Sequence, residues 1–493
     1  MDGYPQKIAA VGCLGEEYQQ PEPCDRREAA LIIPAFKCDS SLAPQAEPLR
    51  PCSTLYAMSH TTRRGFVRGA GAAVASSAFP VLGANETVNL AVIGTGGRGR
   101  GHLGFFSEVP GARIAAICDV NQAARERASA MVRKLQDSTP KEYSDMRKLF
   151  EDRDIDAVSV ATPNHWHALT TIWACQAGKD VYVEKPASHN VFEGEQMVQA
   201  ARKYKRMVQV GSQSRSIGHK RKAMAMLREG AIGTLYMARG LCFRRRKSIG
   251  HTPEEPVPAG LDWDVFLGPA PMRAYSKNRF AYNWHWFWDT GNGDIGNQGV
   301  HEMDICRWGL AEYGMPGTIS SSGGKFVWKD DQETPNTQQS HFLFDKSEIV
   351  FEVRNLSSPN EGGAPLRGNN YVGNIFFGDQ GYMVVDPYGF RIFMGDEREK
   401  THEEEPHEDK IWDPRPHMAN FVEAVRSRNH YALNADVQIG AAAAELCHLA
   451  NISYRCGQQL HTDRETGLFV GNGMANEMLS RRYRAPYVVP QLV

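Results

Sequence analysis

The first sustained hydrophobic pattern begins at Val88-Asn89-Leu90-Ala91-Val92-Ile93 and breaks at once into Gly94-Thr95-Gly96-Gly97-Arg98-Gly99. A short, nearly continuous apolar run ending in glycine predicts a strand buried on both faces, as in a parallel sheet. Residues 112–119, 155–163, 180–183 and 207–211 repeat the pattern, with helix-like stretches between them. Strands alternating with helices predict a doubly wound sheet whose carboxyl ends face a ligand crevice. After residue 213 the pattern changes. A helix is predicted over 220–229, and strand-like runs at 342–344, 348–353 and 382–385 are consistent with a large, open, mostly antiparallel sheet. Helical stretches at 416–428 and 437–456 are expected to pack back on the first domain. The expected fold is an α/β Rossmann nucleotide-binding domain (85–212), then an α+β domain with a large, mostly antiparallel open sheet (213–460) and a tail (461–493).

Residues 1–57 carry neither helical nor strand period, are rich in Pro, Cys and Gln, and end at a second methionine, Met58. They read as a disordered extension or one outside the native product. Residues 58–84 resemble a twin-arginine export signal. Arg63-Arg64 and Phe66 precede a short, alanine-rich apolar run, and Ala84 is a plausible cleavage point. That run is too short for a stable membrane anchor. The resemblance implies the twin-arginine export machinery as a partner and a periplasmic or otherwise exported location. A fortuitous arginine pair is the other reading.

Composition narrows the partners. With 42% hydrophobic and 23% charged residues the chain can bury a large core. Its 56 basic and 57 acidic side chains leave a net charge of -1, so no overall field draws nucleic acid or an anionic membrane. Small molecules are the expected partners. The ten cysteines form no C-x-x-C pair, and Cys118, Cys175, Cys242, Cys306, Cys447 and Cys456 read as free thiols in apolar surroundings. His165 and His167 form an H-x-H with no carboxylate cluster nearby, so no metal is expected.

The glycine run carries chemistry through its context, because it follows a strand and opens a helix. Gly94 allows a tight turn, Gly96 lets backbone amides approach a pyrophosphate, and Gly99 permits close helix packing. Asp119, ending the next strand, would accept hydrogen bonds from an adenosine ribose; its alternative role is a helix cap. A carboxylate there favours NAD, while Arg98 and Arg100 leave NADP open. Glu184-Lys185-Pro186 closes the 180–183 strand and puts Lys185 where a nicotinamide ring is expected.

The glycine loop, the Thr162-Pro163-Asn164 turn and above all Glu184-Lys185-Pro186 resemble the Gfo/Idh/MocA oxidoreductases, the family of glucose-fructose oxidoreductase and inositol dehydrogenase. The likeness runs from about residue 87 to about 460. It implies cofactor contacts from Gly94, Gly96, Gly97, Arg98, Gly99, Asp119, Thr162, Asn164, His167, Glu184 and Lys185, and a homo-oligomer. The family usually carries D-x-G-x-H-x-x-D, which falls here on Asn297-Gln298-Gly299-Val300-His301-Glu302-Met303-Asp304. His301 then corresponds to the acid/base, and imidazole titrates near neutrality. Asn297 departs from the pattern, since an amide orients a hydroxyl or an imidazole but carries no charge. Lys185 would take a larger share of proton transfer, or Asp294 would compensate if its loop folds back.

Asn297, Asp304, His285 and Trp284 are the candidate substrate contacts. Trp284, Trp286 and Trp288 alternate, as one face of a strand or loop would, and either stack on a sugar ring or pack within a sheet. The run Arg244-Arg245-Arg246-Lys247 reads as a solvated strand edge or loop, with contact to a substrate carboxylate or phosphate as the other reading.

The leading expectation is NAD(P)-dependent hydride transfer at a secondary alcohol of a sugar, cyclitol or sugar derivative. An exported enzyme lacks a pool of free NAD, so a resident cofactor reset within each cycle would suit it. That admits an alternative, a redox-neutral glycosidase or lyase working through a transient keto-sugar. A non-catalytic dinucleotide or sugar sensor is a third reading, with Asn297 its only foothold.

Overall fold

The computed structural model describes residues 87–356, 367, 371–405 and 413–493; the extension expected at 1–57 and the export signal expected at 58–84 lie outside them. Six parallel strands, β1 (Val88–Ile93), β2 (Ala112–Cys118), β3 (Lys141–Tyr143), β4 (Ala157–Val160), β5 (Asp180–Val183) and β6 (Val208–Val210), lie in the order β3-β2-β1-β4-β5-β6. Helices cover both faces, which is why Leu90, Ala91 and Val92 are fully buried whichever way they point. Strand order reverses between β1 and β4, opening a crevice at their carboxyl ends. The helix Gln122–Gln136 is capped by Asn121, whose side chain accepts from the Ala124 amide, so Asp119 is not its cap.

The second sheet has nine strands: β7 (Leu235–Phe243), β8 (Thr318–Gly324), β9 (Thr337–Leu343), β10 (Glu348–Arg354), β11 (Tyr371–Gly378), β12 (Gly381–Asp386), β13 (Gly389–Met394), β14 (Glu399–Glu404) and β15 (Leu460–His461). Their order is β14-β13-β12-β11-β7-β10-β9-β8-β15. Pairing is antiparallel except between β10 and β7. This is the Rossmann domain plus mostly antiparallel sheet expected from the pattern.

Two C-terminal helices pack back on the first domain, and the second of them also joins the nine-stranded sheet. Met418, Phe421 and Val425 of Arg415–Ser427 join Leu90, Leu103 and Phe106 in one apolar cluster. The helix Val437–Cys456 packs against Val191–Lys203 on one side and Val300–Leu310 on the other. Beyond β15 the chain returns to the first domain, where Tyr487 and Val489 are buried beside Val158 and Leu169. The six cysteines from Cys118 to Cys456 are free, all but Cys456 buried. Among the described residues no helix is long and apolar enough to cross a membrane, and no cluster of His, Cys, Asp and Glu could hold a metal.

Candidate functional site

A cavity of about 1360 Å³ runs along the carboxyl ends of the parallel strands and under the second sheet. One end is built from the turn after β1. Gly94 has φ +82, and a Cβ there would lie 2.8 Å from the Ala161 carbonyl. A Cβ on Gly99 would overlap the Gly94 carbonyl, so Gly99 lets the helix Gly97–Ser107 start against the strand and does not itself line the cavity. Gly96 and Gly97 do line it, and a Cβ on either would meet nothing within 4 Å. They stand at the N-terminus of that helix, where the first backbone amides have no partner within it, the setting a pyrophosphate requires. Asp119 accepts from the Thr95 amide at 2.7 Å and the Asn121 amide at 2.9 Å. Burial raises its pKa, and those hydrogen bonds offset the rise only in part.

The middle of the cavity holds a charge network. Glu184 accepts from Arg98 Nε at 2.7 Å and meets His102 Nε2 at 2.9 Å, while His102 Nδ1 lies 2.7 Å from Ser159 Oγ. Burial opposes ionisation of Glu184, yet Arg98, His102 and Lys185 hold it well below the ordinary carboxylate range. Arg98 is thereby committed to an internal ion pair. His167, also on the cavity wall, spans the Pro186 carbonyl (2.7 Å) and the Thr162 carbonyl (2.9 Å), fixing the turn that carries Lys185. Asn164 donates to Asn292 Oδ1 at 3.0 Å. The Lys185–Pro186 peptide is cis.

At the far end Lys185, His301, Asn297, Gln298, Tyr282, Trp284 and His285 converge. Lys185 Nζ donates to the Asn297 carbonyl at 2.5 Å and approaches its Oδ1 at 3.4 Å. Burial lowers the Lys185 pKa, with the Glu184 charge acting against it. Burial, reinforced by the Lys185 charge, pushes His301 well below the usual histidine range, and its Nδ1 has no protein partner. Asn297 lies in a π-helical turn, Ile295–Gly299, just before the helix Val300–Leu310. The turn folds Asp294 back beneath it: Asn297 Nδ2 donates to Asp294 Oδ1 and to the Tyr282 hydroxyl, both at 3.1 Å. Asp294 is itself ion-paired with Arg246 at 2.7 Å.

Three expectations need correcting. Asp304 does not reach the cavity: Arg215 grips both its oxygens at 2.8 to 2.9 Å in a buried ion pair, one turn past His301. It anchors the helix that presents His301. The tryptophan segment is a 3-10 turn, Asn283–Trp286, because Tyr282 and Trp284 carbonyls accept from His285 and Phe287 amides. Trp284 consequently faces the cavity, Trp286 is buried beneath Arg246, and Trp288 packs near Tyr454. His285 stacks on Trp284, ring centroids 3.5 Å apart. Finally, Arg244 and Arg246 are not on a solvated edge, since one lines the cavity and the other pairs with Asp294.

His285 is pushed to about 3 by burial, and its Nδ1 lies 2.6 Å from the Tyr282 carbonyl. A neutral ring donating there presents Nε2 as an acceptor. Sequence reasoning missed Tyr282 and His102, whose partners lie far away along the chain.

The residues fit a dinucleotide, given the open cradle at Gly96 and Gly97, the ribose-side carboxylate Asp119 and the unpartnered His301 nitrogen. Comparison with known proteins agrees. The NAD-binding Rossmann fold of the Gfo/Idh/MocA oxidoreductase family matches residues 88–212, and that family's C-terminal alpha/beta domain matches 244–316 and 390–489. A glycosyl hydrolase family 109 protein of Saccharopolyspora erythraea is 31% identical over 218 residues, 43% of this chain and 42% of the relative. An alpha-N-acetylgalactosaminidase of Shewanella oneidensis is 30% identical over 154 residues, 30% of this chain and 34% of the relative. The matches therefore span less than half of those relatives' length. Among solved structures, the WlbA dehydrogenase of Bordetella pertussis, in complex with NADH and UDP-GlcNAcA, superposes with TM-score 0.56 at 19% identity, covering 77% of this chain and 98% of that one. Aldose-aldose oxidoreductase from Caulobacter crescentus gives TM-score 0.57 at 18% identity, covering 76% and 100%.

Proposed function

The chain belongs to the Gfo/Idh/MocA oxidoreductase family and carries its NAD-binding domain, and from that premise we propose that it oxidises a secondary alcohol of a sugar, cyclitol or sugar derivative. When bound, nicotinamide supplies a reversible hydride acceptor. The chain's own residues supply the rest. Lys185 can donate a hydrogen bond to the reacting hydroxyl, and neutral His301 can accept its proton. Asn297 orients Lys185 through its carbonyl, and Asp294 behind it provides the negative charge that Asn297 lacks. Trp284 offers an aromatic face and His285 an acceptor to the sugar ring. The observation that carries this reading is the meeting of Lys185 and a neutral His301, with an unpartnered nitrogen, at the end of a cavity that begins at the glycine loop.

The glycosyl hydrolase family 109 relatives favour a second reading, in which the same groups serve a redox-neutral glycosidase or lyase. Transient oxidation would acidify the neighbouring C–H and allow elimination of a glycosidic substituent before the product is reduced. Export through the twin-arginine route, with NAD retained in the folded protein, and assembly as a homo-oligomer remain part of the proposal.

The test is to express the chain from Met58 in an exporting host, denature the purified protein and identify released nicotinamide by mass. The native protein is then assayed on free sugars and on glycosides. Net NADH from a free sugar supports the dehydrogenase. Free sugar released from a glycoside without net NADH supports the redox-neutral reading. Failure of any sugar or glycoside to alter the nicotinamide or be turned over contradicts both and leaves a sensor.

A further inference from the structure

Of the basic run at 244–247, Arg246 is spent on Asp294, whereas Arg244 lines the cavity with no carboxylate partner among the described residues. Its one protein acceptor among the described residues is Gln298 Oε1, which takes Nη1 at 2.9 Å. Gln298 is itself fixed: it is buried in the π-helical turn, and its Nε2 donates to Glu302 Oε1 at 3.2 Å, which points Oε1 at the arginine. Glu302 and Gln298 thus hold the guanidinium by one corner. The opposite edge, Nε with Nη2, takes no protein acceptor among the described residues, and that edge is the fork that matches two oxygens of a carboxylate.

The charges around it agree. Of the carboxylates on the cavity wall, Asp119 serves the ribose end, Glu184 is held by Arg98 and His102, and Asp413 is paired with Arg415. Lys185 lies within the field of Glu184 and Asp294, whereas Arg244, at the substrate end, has no carboxylate partner among the described residues. A neutral sugar offers the fork only hydroxyl oxygens or water, whereas a carboxylate adds charge to both hydrogen bonds.

We propose that the substrate is an acidic sugar whose carboxylate docks on the Nε and Nη2 edge of Arg244, with Gln298 as the residue that positions it. The inference rests on the sugar-oxidising role proposed for the same cavity and names the substrate class within it. It makes the arginine a specificity residue: it fixes the end of the sugar remote from Lys185 and His301, and so which hydroxyl lies between them.

Titration calorimetry on the NAD-loaded protein tests this with three matched probes for each of the gluco and galacto series: the hexose, the hexuronate and the hexose 6-phosphate. The expected result is that one hexuronate binds about tenfold or more tighter than its parent hexose, the difference a charge-assisted hydrogen-bond pair supplies. Arg244→Gln should lose most of that difference and cost the parent hexose much less. Arg244→Lys, which keeps the charge without the fork, should restore only part of it. Equal binding of hexose and hexuronate, no binding of any hexuronate, or equal loss for both ligands in Arg244→Gln would overturn the proposal. Preference for the 6-phosphate over the hexuronate overturns the carboxylate assignment. Should hexuronates bind in an Arg244-dependent way without reducing the nicotinamide, the docking site stands and the oxidoreductase reading falls.

Discussion

Lys185 and Asn297 are joined through the main chain: the lysine ammonium donates to the asparagine carbonyl at 2.5 Å, and only weakly to the side chain at 3.4 Å. The cation at the end of β5 is therefore positioned by backbone in the π-helical turn, and the side-chain amide of Asn297 is free to donate toward Asp294 and Tyr282. This explains how the site tolerates an amide where its family usually has an acid.

Asn297→Asp should therefore damage the protein rather than improve it. The new carboxylate would replace a donor 3.1 Å from Asp294 Oδ1 with an acceptor. Two carboxylates at that separation cannot both ionise cheaply, so one must hold a proton. The variant is expected to lose about 1 to 3 kcal/mol of stability near neutral pH and to recover part of it in acid. Urea melts at the two pH values check this, and a variant as stable as the wild type at neutral pH contradicts it.

The glycines separate fold from cofactor. Gly94→Ala places a side chain at φ +82 and within 2.8 Å of the Ala161 carbonyl, so it should lower stability by at least about 1 kcal/mol as well as weaken NAD binding. Gly97→Ala meets nothing in the protein, so melting of the NAD-free variant should be unchanged while NAD affinity falls, because the methyl occupies the cradle. Thermal melts with and without NAD distinguish the two behaviours.

Asp119 should set the preference between NAD and NADP. Its carboxylate ends β2, and Arg98 is engaged by Glu184 through Nε, which leaves Arg100 on the cavity wall as the other arginine near the ribose end. The wild type is expected to bind NAD in preference, and Asp119→Ala to weaken NAD by about tenfold while narrowing the gap to NADP. Fluorescence titration with both nucleotides measures the ratio; an unchanged ratio would show that the carboxylate does not read the ribose.

His417 provides a pH signature in the fold. Burial pushes it to about 4, and its ring bridges Ser216 Oγ at 2.7 Å and the Val210 carbonyl at 2.9 Å. The unfolded chain, with histidine near its ordinary 6.5, binds the proton more readily between those values. Stability from this group is therefore present at neutral pH and drains away as pH falls. The advantage of wild type over His417→Gln should shrink by about 2 kcal/mol between about pH 7 and about pH 5, at about 1.4 kcal/mol per pH unit. An advantage that is constant across that range would contradict the neutral assignment.

The parallel sheet was legible because each strand announces itself locally. β1 and β5 coincide with the apolar runs, whereas β3, Lys141-Glu142-Tyr143, escaped notice because an exposed edge strand needs no apolar side chains. β14, Glu399–Glu404, hid for the same reason under an acidic sequence. The site was legible where a motif fixes backbone, as at Gly94, Asp119 and Lys185. It was not where tertiary partners decide. Nothing near Asp304 in sequence reveals Arg215, 89 residues away, and nothing in the Arg244 run reveals that Arg246 is claimed by Asp294, 48 residues on. The tryptophans alternate as a strand would, but the glycine-rich chain after Asp289 lets the Gly291 amide close back on Phe287, and a turn forms instead.

The central claim is that Lys185 and His301 hold a sugar carbinol against the nicotinamide. Its most direct test is to incubate the NAD-loaded protein with sugars deuterated at their carbinol carbons, then denature it and weigh the nucleotide. The account predicts that reduced nicotinamide trapped by quenching during turnover carries one deuterium from at least one sugar, and that it forms at a rate about a hundredfold lower or less in Lys185→Met. Nucleotide that never gains deuterium, or a Lys185→Met variant that labels it as fast as the wild type, would contradict the account.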